Sequence, residues 1–261
     1  MQKTFPFFLI FEQLISMLTK NRSALTINIE PEISGLFSQL SIACIETEVK
    51  VVSSDRDLTN YMEKLCESLK GSITNETIRM HPVVEMTKRA YRKMGQDPNR
   101  YRPAAESLLR RIAGGKGLYY VNNMVDILNI VSIRTGFSIG GYDKDKISGE
   151  ISFGIGRAGE DYQGIGRGEL NIENLPVFRD EIGAFGTSTS DSVRTMVDEN
   201  TRHFLMVIPS FEDTGDHLEK AIEISEELLA GFARVKSVNI SIQGTTTGKI
   251  VEKEHLTFRK H

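Results

Sequence analysis

The sequence contains no tryptophan, only two cysteines and only five histidines in 261 residues. Two cysteines, Cys44 and Cys66, exclude a disulfide framework. Neither has the partner spacing of a zinc site, so reduced thiols in a cytoplasmic protein are expected. The histidines are scattered without metal-ligand spacing, and no metal or other cofactor is expected. Long apolar runs are also scarce. The run from Phe5 to Phe11 stops at Glu12, far short of the ~20 apolar residues a membrane span needs. It also lacks the small-residue cleavage site of a secretory signal. Residues 1–22 therefore read as an apolar extension, packed on the body or lying upstream of a start at Met17, with a signal or anchor as the alternative. With no repeat and no low-complexity linker, residues 23–250 read as one domain and 251–261 as a tail.

The net charge of −3 excludes a surface built wholly for polyanions. Residues 79–111 differ. They carry nine Lys or Arg against three acids, with Tyr91 and Tyr101 among them. Arg89, Arg92, Lys93, Arg102 and Arg110 are the candidate RNA contacts of this stretch. A solvated helix face is the alternative.

The stretch SIGGYDKDKISGE, residues 138–150, has the look of a binding loop. Asp143 and Asp145 begin like an EF-hand, but Ile147, Ser148 and Gly154 stand where that loop needs an oxygen ligand, a glycine and a glutamate. The following GIGRAG fits a dinucleotide fingerprint in spacing. Two acids and three more glycines come next, where a phosphate-binding helix should begin. A turn between strands survives both tests.

Helical periodicity and caps place helices over residues 53–71, 81–95, 103–115, 122–136 and 213–232. In the first, Ser54 is the expected N-cap. Strands are expected over 24–30, 41–52, 137–142, 149–155, 177–182, 192–197, 203–209 and 234–243. VDENT between the two strands at 192–209 predicts a hairpin. Helices gather early and strands late, an α+β arrangement. The helix over 122–136 is apolar on most sides, with Asn122, Asp126 and Asn129 sharing the remaining face. Those three side chains either face solvent or bond a neighbouring loop, and the second choice suits the glycine-rich stretch, which has little intrinsic order.

The sequence NNMVDILNIVSIRTGFSIGGYDKDKISGEISFGIGRAGE resembles the middle of the B-three/B-four domain of bacterial phenylalanyl-tRNA synthetase beta subunits. The carriers are Val125, Asp126 and Asn129, then Tyr142, DKDKISG and the Gly159-Glu160 pair. ESLLRRI upstream, with GAFG (183–186) and VDENT downstream, complete the order. The likeness spans about residues 81–209, and the chain has no synthetase catalytic region. It implies a single three-layer α+β domain with a β-sandwich of unusual topology and helices packed around it. It also implies a proofreading chamber for aminoacyl-tRNA and a role in protein biosynthesis. Two positions depart from the family. Gly140 stands where the synthetase has histidine, and TSTSDS stands where it has a glutamate.

On that resemblance, tRNA or aminoacyl-tRNA is the expected partner, with an amino-acid-like small molecule as the alternative. No DNA and no membrane is expected. An activated ester needs only a held water and a stabilised oxyanion. Asp180 and Asp191 are the candidate bases, Thr187 and Ser188 supply hydroxyls, and all four are candidate catalytic residues. Arg194, Gly140, Tyr142, Gly186 and Asn129 are candidate substrate contacts. Asn122, Asp126 and Asp143 are candidate structural supports. Deacylation of a mischarged tRNA and a non-catalytic binding module that has lost editing are the two readings.

Overall fold

The protein is described from a computed structural model covering residues 25–245 and the backbone of 251–254. The apolar extension at 1–22 lies outside the described residues. In chain order the elements are β1 (Ile27–Ile29), α1 (Pro31–Leu36), β2 (Ser41–Glu48), α2 (Arg56–Leu69), α3 (Asn75–Met80), α4 (Pro82–Lys93), α5 (Ala104–Ala113) and α6 (Asn123–Thr135). Then follow β3 (Gly140–Asp143), β4 (Ile151–Ile155), β5 (Gln163–Gly164), β6 (Gly168–Glu169), β7 (Pro176–Arg179), β8 (Ala184–Thr187), β9 (His203–Ser210), α7 (His217–Leu228), β10 (Asn239–Gly244) and β11 (Val251–Glu254).

Strand β2 sets the layering. Ile42, Ala43, Cys44 and Ile45 are all fully buried, so both its faces are covered, as in a middle layer. It lies at the centre of a five-stranded antiparallel sheet ordered β11-β10-β2-β9-β3. Helices α6 and α7 cover one face. The other face meets a four-stranded sheet ordered β1-β4-β7-β8, in which β1 and β4 run parallel. Aromatic rings fill the seam. Phe153 and Phe178 lie 4.3 Å apart, and Tyr142 meets Phe185 edge-on at 4.9 Å. Such pairs contribute roughly 0.5–1.5 kcal/mol each beyond their area. The result is the expected three-layer α+β sandwich. Among the described residues no helix is long and apolar enough to cross a membrane.

Helix α6 follows its expected bounds. Asn122 caps it by accepting from Met124 and Val125 N–H, and Gly136 closes it in the left-handed region at φ 80°. Other expectations fail for local reasons. Asp55, not Ser54, caps α2, because the Ser54 hydroxyl is donated to Asp126. Residues 192–197 form no strand and no hairpin with β9, since β2 and β3 occupy both edges of β9. Instead the Ser192 hydroxyl accepts from Arg194 N–H and starts a 3-10 turn. Of GAFG only Gly183 belongs to a turn; Ala184 to Gly186 are already in β8. The turn lies just before it, where Asp180 accepts from Ile182 and Gly183 N–H.

Candidate functional site

Strand β3 is the edge of the five-stranded sheet and β8 the edge of the four-stranded sheet, and the expected site lies where they meet. Alternation along β3 sends Gly141 toward α6, where a Cβ would strike Leu128, and Tyr142 toward the seam. The Tyr142 ring lies across Gly140 of its own strand and Gly186 of β8. A Cβ at either glycine would fall 2.6 Å from its Cζ and closer still to its hydroxyl. Both glycines are therefore required by close approach. Tyr142 is 1% exposed. The hollow expected beside Gly186 is filled by the chain's own phenol, which corrects the assignment of Tyr142, Gly140 and Gly186 to a substrate pocket. A histidine at position 140 is incompatible with this ring position.

Asp191 receives the plug. Its Oδ1 accepts from the Tyr142 hydroxyl at 2.9 Å and its Oδ2 from Gly141 N–H at 3.1 Å. Burial pushes the carboxyl up to about 7, against those two bonds. Two further buried tyrosines converge here. Tyr91 shares a 2.9 Å hydrogen bond with Thr189 Oγ1, and Tyr162 donates to the Ser190 carbonyl at 2.7 Å. Burial pushes both phenols well up. Sequence reasoning missed Tyr162 and assigned Tyr91 to a nucleic-acid stripe. Tyr91 is fully buried. The apolar recurrence of Val83, Val84, Ala90, Tyr91 and Met94 was the available signal.

The remaining candidate groups are committed. Thr187 Oγ1 donates to the Ser190 carbonyl and accepts from Thr189 and Ser190 N–H. Ser188 is buried, and its carbonyl receives Ala104 N–H. Both side chains are buried and the Thr187 hydroxyl is spent on the turn, an arrangement that serves structure rather than the catalytic role expected of them. Asp180 is held by Arg194 through both oxygens, at 2.9 and 3.0 Å. It also accepts from Ser148, Ile182 and Gly183 N–H. Burial raises its pKa, but these donors outweigh it and leave the carboxyl below its ordinary range. Asp180 thus has no lone pair aimed at a water, and Arg194 has no fork left for a phosphate. Both assignments are corrected. Asp143 accepts from Thr201 Oγ1 and from Asp145 N–H and shapes the loop after β3.

The polar ridge of α6 holds a different segment from the one expected. Asp126 is fully buried and accepts from Ser54 Oγ at 2.5 Å and Val121 N–H at 3.0 Å. Burial pushes its carboxyl up, against both bonds. Asn123 accepts from Val52 N–H and donates to the Lys50 carbonyl. The side chain of Asn129, half-buried, makes no hydrogen bond among the described residues. The ridge therefore fastens residues 50–54, not the glycine turns.

The basic stretch is largely paired with acids. Arg89 grips Glu212 and Arg92 grips Glu85. Glu106, 1% exposed, sits among Arg110 at 2.7 Å, Lys88 at 3.6 Å and Arg102 at 3.9 Å. Lys93 donates to the Leu36 carbonyl and lies over the Phe37 ring. These cations hold α1, α4 and α5 to their neighbours.

Comparison with known proteins adds a family. A model of the B3/4 domain matches residues 86–244, more than half of the chain. A solved structure, the N-terminal fragment of the phenylalanyl-tRNA synthetase beta-subunit from Pyrococcus horikoshii, aligns with a TM-score of 0.48 at 13% identity. The alignment covers 90% of this chain and 56% of that one, so this chain spans little more than half of the fragment. No curated protein matches the sequence.

Proposed function

Since the chain belongs to the B3/4 domain family, we propose that it is a tRNA-associated binding module whose hydrolytic chamber is closed by its own Tyr142. The observation that carries this reading is the phenol lodged between Gly140 and Gly186, with its hydroxyl donated to Asp191. The synthetase-type histidine and glutamate are absent, the Thr187 hydroxyl in the glutamate's region is spent on a turn, and Arg194 is spent on Asp180. The tRNA part of the reading rests on the sequence resemblance. One observation favours hydrolysis as a second reading. Asp191, pushed up to about 7, is matched to proton transfer at neutral pH. Its two oxygens are taken by the Tyr142 hydroxyl and Gly141 N–H, so this reading requires one of those bonds to give way to a water.

The binding part is tested by titrating labelled tRNA against the full chain at two salt concentrations. Binding that weakens steeply with salt is expected. No binding at low salt removes tRNA from the account.

A further inference from the structure

A second surface carries the features that the basic stretch lacks. A cleft of about 660 Å³ is lined by Lys50, Val52, Asp55, Asn123 and residues 232–237. Lys50, Arg234 and Lys236 are exposed on it, and none of the three side-chain cations has a hydrogen-bond or ion-pair partner among the described residues. The acids beside them are engaged. Asp55 caps α2 through Leu58 N–H, and Glu48 has a partner of its own. Arg234 is held at φ 54°, a backbone position that glycine fills at lower cost.

The cleft continues into an exposed aromatic strip. Asn123 N–H donates to the Val52 carbonyl, and Asn123 Oδ1 accepts from Val52 N–H. Asp126 also accepts from both Ser54 Oγ and Val121 N–H, which ties the end of residues 119–121 to the 50–54 segment. Tyr119, Tyr120 and Val121 are 63%, 55% and 56% exposed, and Val52 is 45% exposed. Large side chains left bare together mark an interaction site. The rings are also pre-set. Arg111 stacks on Tyr119 at 3.7 Å, and the Tyr120 hydroxyl donates to Glu63 at 2.6 Å. Unpaired cations in a groove beside ordered aromatic faces fit a flexible polyanion with stacking bases.

We propose that this cleft and strip bind a single-stranded RNA segment, with phosphates on Lys50, Arg234 and Lys236 and bases stacked on Tyr119 and Tyr120. The polar ridge of α6 is then the brace of this groove, since Asn123 and Asp126 fix its 50–54 wall. The proposal rests on the reading of the chain as a tRNA-associated module and names the surface that module uses.

The test is fluorescence anisotropy of the full chain with a labelled unpaired oligoribonucleotide of about ten nucleotides. The variants are Lys50→Ala with Lys236→Ala, Tyr120→Ala, and Arg89→Ala with Arg92→Ala. The wild type is expected to bind. The lysine pair should flatten the slope of log K against log salt by about 1.4, roughly 0.7 per phosphate. Tyr120→Ala should weaken binding roughly tenfold, and the arginine pair should leave it within about twofold. Unchanged binding in both cleft variants, or loss confined to the arginine pair, overturns the proposal. A wild type that binds tRNA but ignores the oligonucleotide overturns it while leaving the module reading intact. A wild type that binds neither overturns both.

Discussion

Replacing Gly186 by alanine is expected to lower stability by about 2–3 kcal/mol, although only one methyl group is added. The new Cβ falls 2.6 Å from Tyr142 Cζ and nearer to the hydroxyl. The ring cannot retreat, because Phe185 stands 4.9 Å away on one side and Asp191 holds its hydroxyl. For a domain of this size the loss corresponds to a Tm fall of roughly 5–10 °C. A double-mutant cycle isolates the cause. Tyr142→Ala alone leaves a cavity and costs about 3–5 kcal/mol. Combined with Gly186→Ala it should cost at least about 1 kcal/mol less than the sum, because the methyl group enters the vacated slot. Additive losses would mean that the ring does not lie against Gly186.

The second large effect is a pH dependence of stability centred on Asp191. Its folded pKa is raised from 3.8 to about 7. Between those values the folded state binds a proton that the unfolded state has released. Stability contributed by the neutral carboxyl is therefore present at low pH and lost as pH rises toward 7. Above that, the cost of the buried charge is constant. Asp191→Asn keeps an acceptor for Gly141 N–H and a donor for the Tyr142 oxygen, and it carries no charge. Relative to wild type, this variant should gain a few kcal/mol between pH 4.5 and pH 8 in denaturant unfolding. Other titrating groups cancel in the comparison. A difference that stays flat over that range would place Asp191 in a wet, ordinary environment.

Much of the scaffold is legible in the residues. Helix α6 is marked by Asn122 at one end and Gly136 at the other, and helices α4 and α5 by the prolines just ahead of their apolar stripes. These are local signals, and local physics decides them. The failures are non-local. Residues 192–197 carry the alternation of a strand, but no sheet edge is free to receive them. GAFG reads as a turn because glycine suits turns. Here Gly186 serves a ring that arrives from another strand 44 residues earlier in the chain. The candidate site shows the same division. Asp143, Asp126 and Asn122 were legible as framework, whereas no spacing rule joins Asp180 to Arg194 or Asp191 to Tyr142. The basic stretch is a further case. The run of cations does not reveal that Glu106, within the same run, is buried among three of them, or that Glu212, far away in the chain, takes Arg89.

The proposed function turns on the Tyr142 side chain filling the space between Gly140 and Gly186. Release of amino acid from a panel of mischarged tRNAs, compared with their spontaneous hydrolysis, tests this most directly when run on the wild type at pH 7.5. Rates equal to the uncatalysed background on every member are expected, because Tyr142 fills the space between Gly140 and Gly186 and its hydroxyl occupies Asp191 Oδ1. Turnover above background on any member, abolished by Asp191→Asn, would contradict the closed chamber and establish a deacylase.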